Sequence, residues 1–250
     1  MKISLQISLP SALFLIYLLL SPLAFAKPLF KLPPPHRSVY SLSKYGAEVA
    51  EMENTLSYTN GTIRYLSRAR ATGLAKLLVD NDALETSVLQ WPENQPLPRQ
   101  QSFSFFYGEN NRKNQRIDFN WQQYPPLKIS GSYKDKHYEL SSQQPVWAHQ
   151  LLPLLMSSDL LLNPRKRSNS FYITDKGSIH KYTYTLEKTE EIEFADWEIP
   201  TLKFRVVVEG SSRYSYVWLS ESHYYLPIRL EQYKNDKLNL SIQLEKLDKL

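Results

Sequence analysis

The sequence predicts a mainly β protein, a large curved antiparallel sheet or half-open barrel wrapped around one kinked helix. Three observations predict it. Apolar and polar residues alternate with period two over long stretches, turn-forming residues punctuate those stretches, and one segment alone repeats its apolar residues at helical spacing. Composition agrees, since 250 residues with 42% hydrophobic and 22% charged side chains make a globular chain, with no disordered, collagen-like or low-complexity signature. The chain contains no cysteine, so no disulfide framework and no cysteine nucleophile enter the argument.

Taken from the start, residues 1–26 read as a signal peptide. Lys2 supplies a positive beginning, residues 9–20 form an apolar run, and Ala24-Phe25-Ala26 provides a small-x-small cleavage site. The run is short and flanked by Pro10 and Pro22, whereas a membrane span needs about 20 apolar residues. Cleavage after Ala26 is therefore expected. Without a cysteine to carry lipid, the mature protein is expected to be soluble and periplasmic, with no stable membrane span. Residues 27–38, with Pro28, Pro33, Pro34 and Pro35, predict an extended lead-in, because proline fixes φ and removes a donor. A single β-rich domain is expected over residues 39–250.

Within that domain Leu202, Phe204, Val206 and Val208 alternate with Lys203, Arg205, Val207 and Glu209. Tyr182, Tyr184 and Leu186 do the same against Lys181, Thr183 and Thr185, and Leu238 to Leu244 against Asn239 to Glu245. Asn60-Gly61 suits a two-residue turn with both φ positive, Asp175-Lys176-Gly177 a three-residue loop, and Gly210-Ser211 and Asn235-Asp236 two more reversals. Fourteen stretches between residues 39 and 247 carry the pattern, and some neighbours are expected to merge, leaving about ten or eleven strands. Residues 144–162 break it: Trp147, Leu151, Leu154, Leu155 and Met156 recur at helical spacing behind Pro145, and Pro153 inside the segment predicts a kink. Leu160, Leu161 and Leu162 make this rod apolar around its girth, so it should be enclosed by the sheet.

Signals for catalysis are mostly negative. The sequence holds no nucleophile elbow, no zinc-protease helix motif and no phosphate-cradling glycine loop. His36, His137, His149, His180 and His223 form no metal-type pair in sequence, and Asp80-Asn81-Asp82 with Glu85 lacks the glycine of a calcium loop. No cofactor, metal or catalytic residue is expected. Glu191 and Glu193, on one strand face, are the acid pair from which a glycan hydrolase would have to be built. The basic groups Arg64, Arg68 and Arg70 and Arg165-Lys166-Arg167 read as solvated surface. A net charge of +5, spread along the chain, gives no nucleic-acid footprint. Seventeen tyrosines and five tryptophans suit strands whose inner face is only partly dry. The residues expected to line a ligand site between helix and sheet are Trp147, Leu151, Leu155, Tyr182, Tyr184, Tyr216 and Trp218.

Several of these segments carry a resemblance. Tyr172-Ile173-Thr174-Asp175-Lys176-Gly177, Lys181-Tyr182, Trp218-Leu219-Ser220 and Tyr225-Leu226-Pro227-Ile228-Arg229-Leu230-Glu231 resemble the bacterial envelope family called domain of unknown function 3108. Tyr40 to Tyr45, Gly46, Ala47, Tyr58 and Tyr65 look like its opening strands, and residues 144–162 like its central helix. The resemblance implies an exported, largely β protein without an assigned activity. The expected function is a non-enzymatic periplasmic protein that binds a lipid or other amphipathic envelope component. The alternative is a non-catalytic envelope adaptor that binds another protein.

Overall fold

The computed structural model describes residues 30–77, 81–92, 95–109 and 111–250; the expected signal peptide lies outside them. Among the described residues fifteen strands form one sheet. The first eight are β1 (His36–Lys44), β2 (Ala47–Thr59), β3 (Thr62–Ala71), β4 (Ala83–Gln90), β5 (Arg99–Phe106), β6 (Gln115–Asn120), β7 (Leu127–Tyr133) and β8 (Lys136–Ser142). The others are β9 (Val146–Ala148), β10 (Ser168–Asp175), β11 (Ser178–Phe194), β12 (Trp197–Val208), β13 (Arg213–Ser220), β14 (Leu226–Lys234) and β15 (Lys237–Lys249). Between β9 and β10 runs the one α-helix among the described residues, α1 (Leu152–Leu162).

The sheet order is β8-β7-β6-β5-β4-β3-β2-β1-β15-β14-β13-β12-β11-β10-β9. The two ends of the domain therefore pair in the middle of the sheet, His36 opposite Lys249 through Ser43 opposite Ser241. Every ladder is antiparallel except β9 on β10, where Trp147 lies beside Ile173.

None of the expected strands merges with its neighbour, because the chain reverses between them instead of bending. Asn60-Gly61, Lys134-Asp135, Ala195-Asp196 and Asn235-Asp236 all hold positive φ at both central positions, the geometry of a tight hairpin whose twist matches its strands. Lys176-Gly177 is another such two-residue turn, one residue shorter than the loop the sequence suggests, since Asp175 already pairs with Ser178.

The helical segment differs more. Val146–Ala148 is an edge strand, His149–Leu151 a single 3-10 turn, and the helix proper starts at Leu152. Pro153 consequently sits in the first helical turn, where its missing N–H leaves no bond unmade. It starts the helix and does not kink it. The enclosure holds. Leu154 and Leu155 pack with Leu56, Ile63, Tyr65, Leu89 and Leu226, while Met156 and Leu160 pack with Tyr184, Phe204, Val206, Val217 and Leu219. Each fully buried leucine of this kind contributes roughly 1.5–3 kcal/mol of transfer free energy. Even the helix's small polar residues are engaged: the Ser157 hydroxyl donates to Tyr225 O at 2.6 Å, and Ser158 Oγ accepts from the Lys31 amide at 3.0 Å.

The lead-in is not outside the domain. Strand pairing begins at His36, ahead of Val39, and Phe30 is buried, stacked on Trp147 (centroids 6.0 Å) and edge-on to Trp91 (5.9 Å). Its prolines leave carbonyls to be satisfied, and Tyr58 Oη donates to Pro33 O while His36 Nδ1 lies 2.9 Å from Pro34 O.

Side chains, not a ladder, bring the two far ends of the sheet together. The ring of Tyr138 on β8 packs against Gly177 in the β10–β11 turn, where a β-carbon would lie 3.2 Å from it. Hydrogen-bonding chemistry turns the Gln115 amide so that it donates to Asp175 Oδ1 (3.2 Å) and accepts from Lys176 N (2.9 Å). The result is a barrel-like sheet with a side-chain seam.

Candidate ligand-binding site

Beside the start of α1 the inner faces of β11 to β14 leave a cleft of about 450 Å³, within the size range of small-molecule sites. Strand alternation decides what faces it. On β13 the inward positions are Arg213, Ser215 and Val217; on β14, reading from the same end, they are Lys234, Gln232 and Leu230. The register places Arg213 opposite Lys234, Ser215 opposite Gln232 and Val217 opposite Leu230. Two neighbouring strands thus step together from cation to neutral polar to aliphatic. Val206 and Val208 of β12 and Leu152, Pro153 and Met156 of the helix complete the apolar floor. Tyr182, Asp175, Lys176 and His149 flank the cleft from the seam side.

The Tyr182 hydroxyl is pushed above its ordinary value by burial and by the Asp175 charge, with Lys176 and Arg213 opposing. His149 is half-buried between two carboxylates, Nε2 at 3.1 Å from Glu85 Oε1 and Nδ1 at 3.6 Å from Asp175 Oδ1. Burial disfavours its charged form, but the Glu85 hydrogen bond and the charges of Glu85 and Asp175 outweigh that and raise its pKa above 6.5. The adjoining Gln150 is held from all sides: its Oε1 accepts from Ser87 Oγ (2.7 Å), and its Nε2 donates to Ser67 Oγ (3.0 Å) and Glu85 O (3.1 Å). Gln100 Oε1 accepts from Ala148 N at 2.8 Å. This buried network fixes the segment leading into the helix, and with it one wall of the cleft.

A second, smaller cleft of about 230 Å³ lies on the other side of the helix, lined by Phe30, Trp147, Leu155, Asp159, Asn169 and Phe171 among others. Asp159 is tied there by Tyr184 Oη (2.7 Å), Lys166 Nζ (2.9 Å) and the Asn169 amide.

The residues expected to line the ligand site divide accordingly. Tyr182 faces the larger cleft, and Trp147 and Leu155 the smaller. Leu151 is core, and Tyr184 is buried against Phe204 with its hydroxyl on Asp159. Tyr216 and Trp218 do not line the helix. Their neighbours Val217 and Leu219 take the inward positions of β13, so both rings lie on the opposite face, under Lys203 Nζ at 4.2 and 4.7 Å, with the Trp218 indole N–H on Glu190. Their rings are covered by the protein's own cation. Sequence reading missed Arg213, Ser215, Gln232 and Lys234, although the signal was present as a polarity gradient at every second residue.

The other singled-out residues stay dispersed. His137 and His180 are exposed, His223 lies against Phe194, and His36 is buried at the start of β1. Asp82 pairs with Arg70 at 3.1 Å and Arg68 at 3.8 Å on the surface, and Asp80 lies outside the described residues. Lys166 is committed to Asp159, while Arg165 and Arg167 are exposed. Glu191 and Glu193 are exposed on an open groove near the β11–β12 turn. No helix among the described residues is long and apolar enough to cross a membrane.

A barrel-like sheet filled by one helix, with an amphipathic cleft left beside it, is the class that this fold and site define. The chain belongs to a family described as proteins of unknown function (DUF3108), whose model matches residues 39–238. In structure it is similar to a β-barrel-like protein of the domain of unknown function DUF1849 from Brucella abortus, with a TM-score of 0.55 and 12% identity. That match covers 87% of this chain and 99% of the other. A protein with a YmcC-like fold from Bacteroides fragilis aligns over 88% of this chain and 99% of its own. Its identity is 9% and its TM-score 0.35, too low to support a correspondence of folds. No curated protein matches the chain.

Proposed function

We propose that the protein is an exported, non-enzymatic binder of an amphipathic component of the bacterial envelope, held with its apolar part against the helix. One observation carries the reading: β13 and β14 descend in step from charge through neutral polarity to aliphatic surface inside one cleft. A wall of this kind matches a molecule that is itself polar at one end and apolar at the other. The signal-peptide pattern at residues 1–26 supports export.

Two measurements test it. The intact protein released from its own host's periplasm by osmotic shock should start at Lys27 and show an amphiphile-sized adduct by native mass spectrometry. It should also bind the neutral apolar fluorophore N-phenyl-1-naphthylamine and release it when dodecyl maltoside is added. Absence of both adduct and fluorophore binding overturns the binding function; retention in the cytoplasm overturns the location.

A further inference from the structure

At the mouth of the cleft three exposed cations stand opposite one another. Arg213 and Lys234 are directly opposite one another on β13 and β14, and Lys234 is in turn opposite Lys237 on β15. Like charges at directly opposed positions destabilise a ladder. An acidic neighbour would relieve this, yet among the described residues no carboxylate forms an ion pair with any of the three. The nearby Asp236 is engaged by the Tyr214 hydroxyl at 3.2 Å, and Asp175 by Lys176 at 2.8 Å. The cleft wall therefore carries three cations, Lys176, Arg213 and Lys234, against the single carboxylate of Asp175. Tyr182, opposite Val208 on β12, lines the same cleft, and its hydroxyl feels the opposed charges of Asp175 and Arg213.

We infer that the ligand's polar end is anionic: the cleft takes an amphiphile with a phosphate or carboxylate head, which Arg213 and Lys234 bind while its chain lies along Val217, Leu230 and Met156. This rests on the amphiphile-binding reading above and names its ligand class. Arginine presents a planar fork suited to two oxygens of one such head, and lysine a mobile point charge beside it. The opposed cations thus exchange mutual repulsion for a shared counter-ion, and the step toward Ser215 and Gln232 gives the head's remaining oxygens neutral donors.

The test uses the full mature chain and four probes below their micellar concentrations, namely dodecyl phosphate, dodecyl maltoside, dodecyltrimethylammonium and inorganic phosphate, titrated by calorimetry. Dodecyl phosphate should bind at least about tenfold more tightly than dodecyl maltoside, and the cationic probe most weakly. Arg213→Gln with Lys234→Gln, both at the cleft mouth, should remove about tenfold of the dodecyl phosphate affinity and lower that for dodecyl maltoside by far less. Equal binding of the phosphate and maltoside probes overturns the anionic class while leaving amphiphile binding intact. Inorganic phosphate as tight as dodecyl phosphate overturns the role of the chain. Failure of all three dodecyl probes overturns the amphiphile reading itself. A fall in maltoside affinity equal to the fall in phosphate affinity in the double variant means that the two residues shape the cleft and do not read charge.

Discussion

The two sides of α1 solve the same packing problem differently. A sheet of fifteen strands encloses more space than an eleven-residue helix fills. On one side the chain supplies the missing volume itself: Phe30, from the segment ahead of the first strand, slots between Trp91 and Trp147, and about 230 Å³ remains. On the other side nothing comparable among the described residues is inserted, and about 450 Å³ stays open under a cationic rim. The contrast separates space that the chain fills itself from space that it leaves open. Where the chain fills its own void, aromatic rings interlock beside the remaining space; where it does not, the lining is graded in polarity.

Substitutions on the two sides should therefore cost differently. The largest effect is expected on the filled side, where Trp147→Ala removes the ring that touches both Phe30 and Trp121 and should destabilise by about 3–5 kcal/mol in urea titration. A loss below about 1 kcal/mol would show that this side is no better packed than the other. Enlargement gives the next contrast. Leu154→Phe, in the filled core, should cost about 1–3 kcal/mol, whereas Val208→Phe, facing the open cleft, should cost less than about 1 kcal/mol and abolish N-phenyl-1-naphthylamine binding. Equal costs at the two positions would erase the distinction between the sides.

The smallest effect concerns the seam. His149 has a raised pKa in the folded state, so its contribution is fully present below the ordinary value of 6.5 and is lost as pH rises through the folded value. Buried His36 has a lowered pKa because burial disfavours its charge, so its contribution is present above 6.5 and is lost as pH falls. Stability followed from pH 5 to 9 should show a decline on the alkaline side of 6.5 that His149→Gln removes. Solvent around the half-buried ring should hold it below about 1 kcal/mol. A decline unchanged in the variant would assign it to another group.

How much of this was legible depended on distance along the chain. Hairpins were readable because their causes are local: Asn60-Gly61 sets a turn whatever lies beyond it, and Tyr182, Tyr184 and Leu186 show their face by alternation alone. The helix was readable in kind but not in extent. Val146 to Leu162 has no exposed residue as it runs through strand, turn and helix in succession, so apolar residues recur in all three and their spacing cannot separate them. What makes Val146–Ala148 a strand is Tyr172 to Thr174, some 26 residues away. Phe30 was invisible as a core residue for the same reason, since its slot is built from Trp91 and Trp147. Tyr216 and Trp218 failed on parity, Val217 and Leu219 having the inward places. The cleft needed the register of β13 against β14 before its gradient could be seen as one surface.

The placement of the chain ends at the centre of the sheet bears on how the molecule is made. As synthesis proceeds, β1 can pair with β2 at once, but its other edge waits for β15, whose residues arrive about 200 positions later. Until then a nine-residue strand presents open backbone donors and acceptors to any passing chain, the surface from which aggregation starts. An early-folding amino-terminal half would be hazardous under those conditions. The last ladder, β1 on β15, can close only once the whole polypeptide is available.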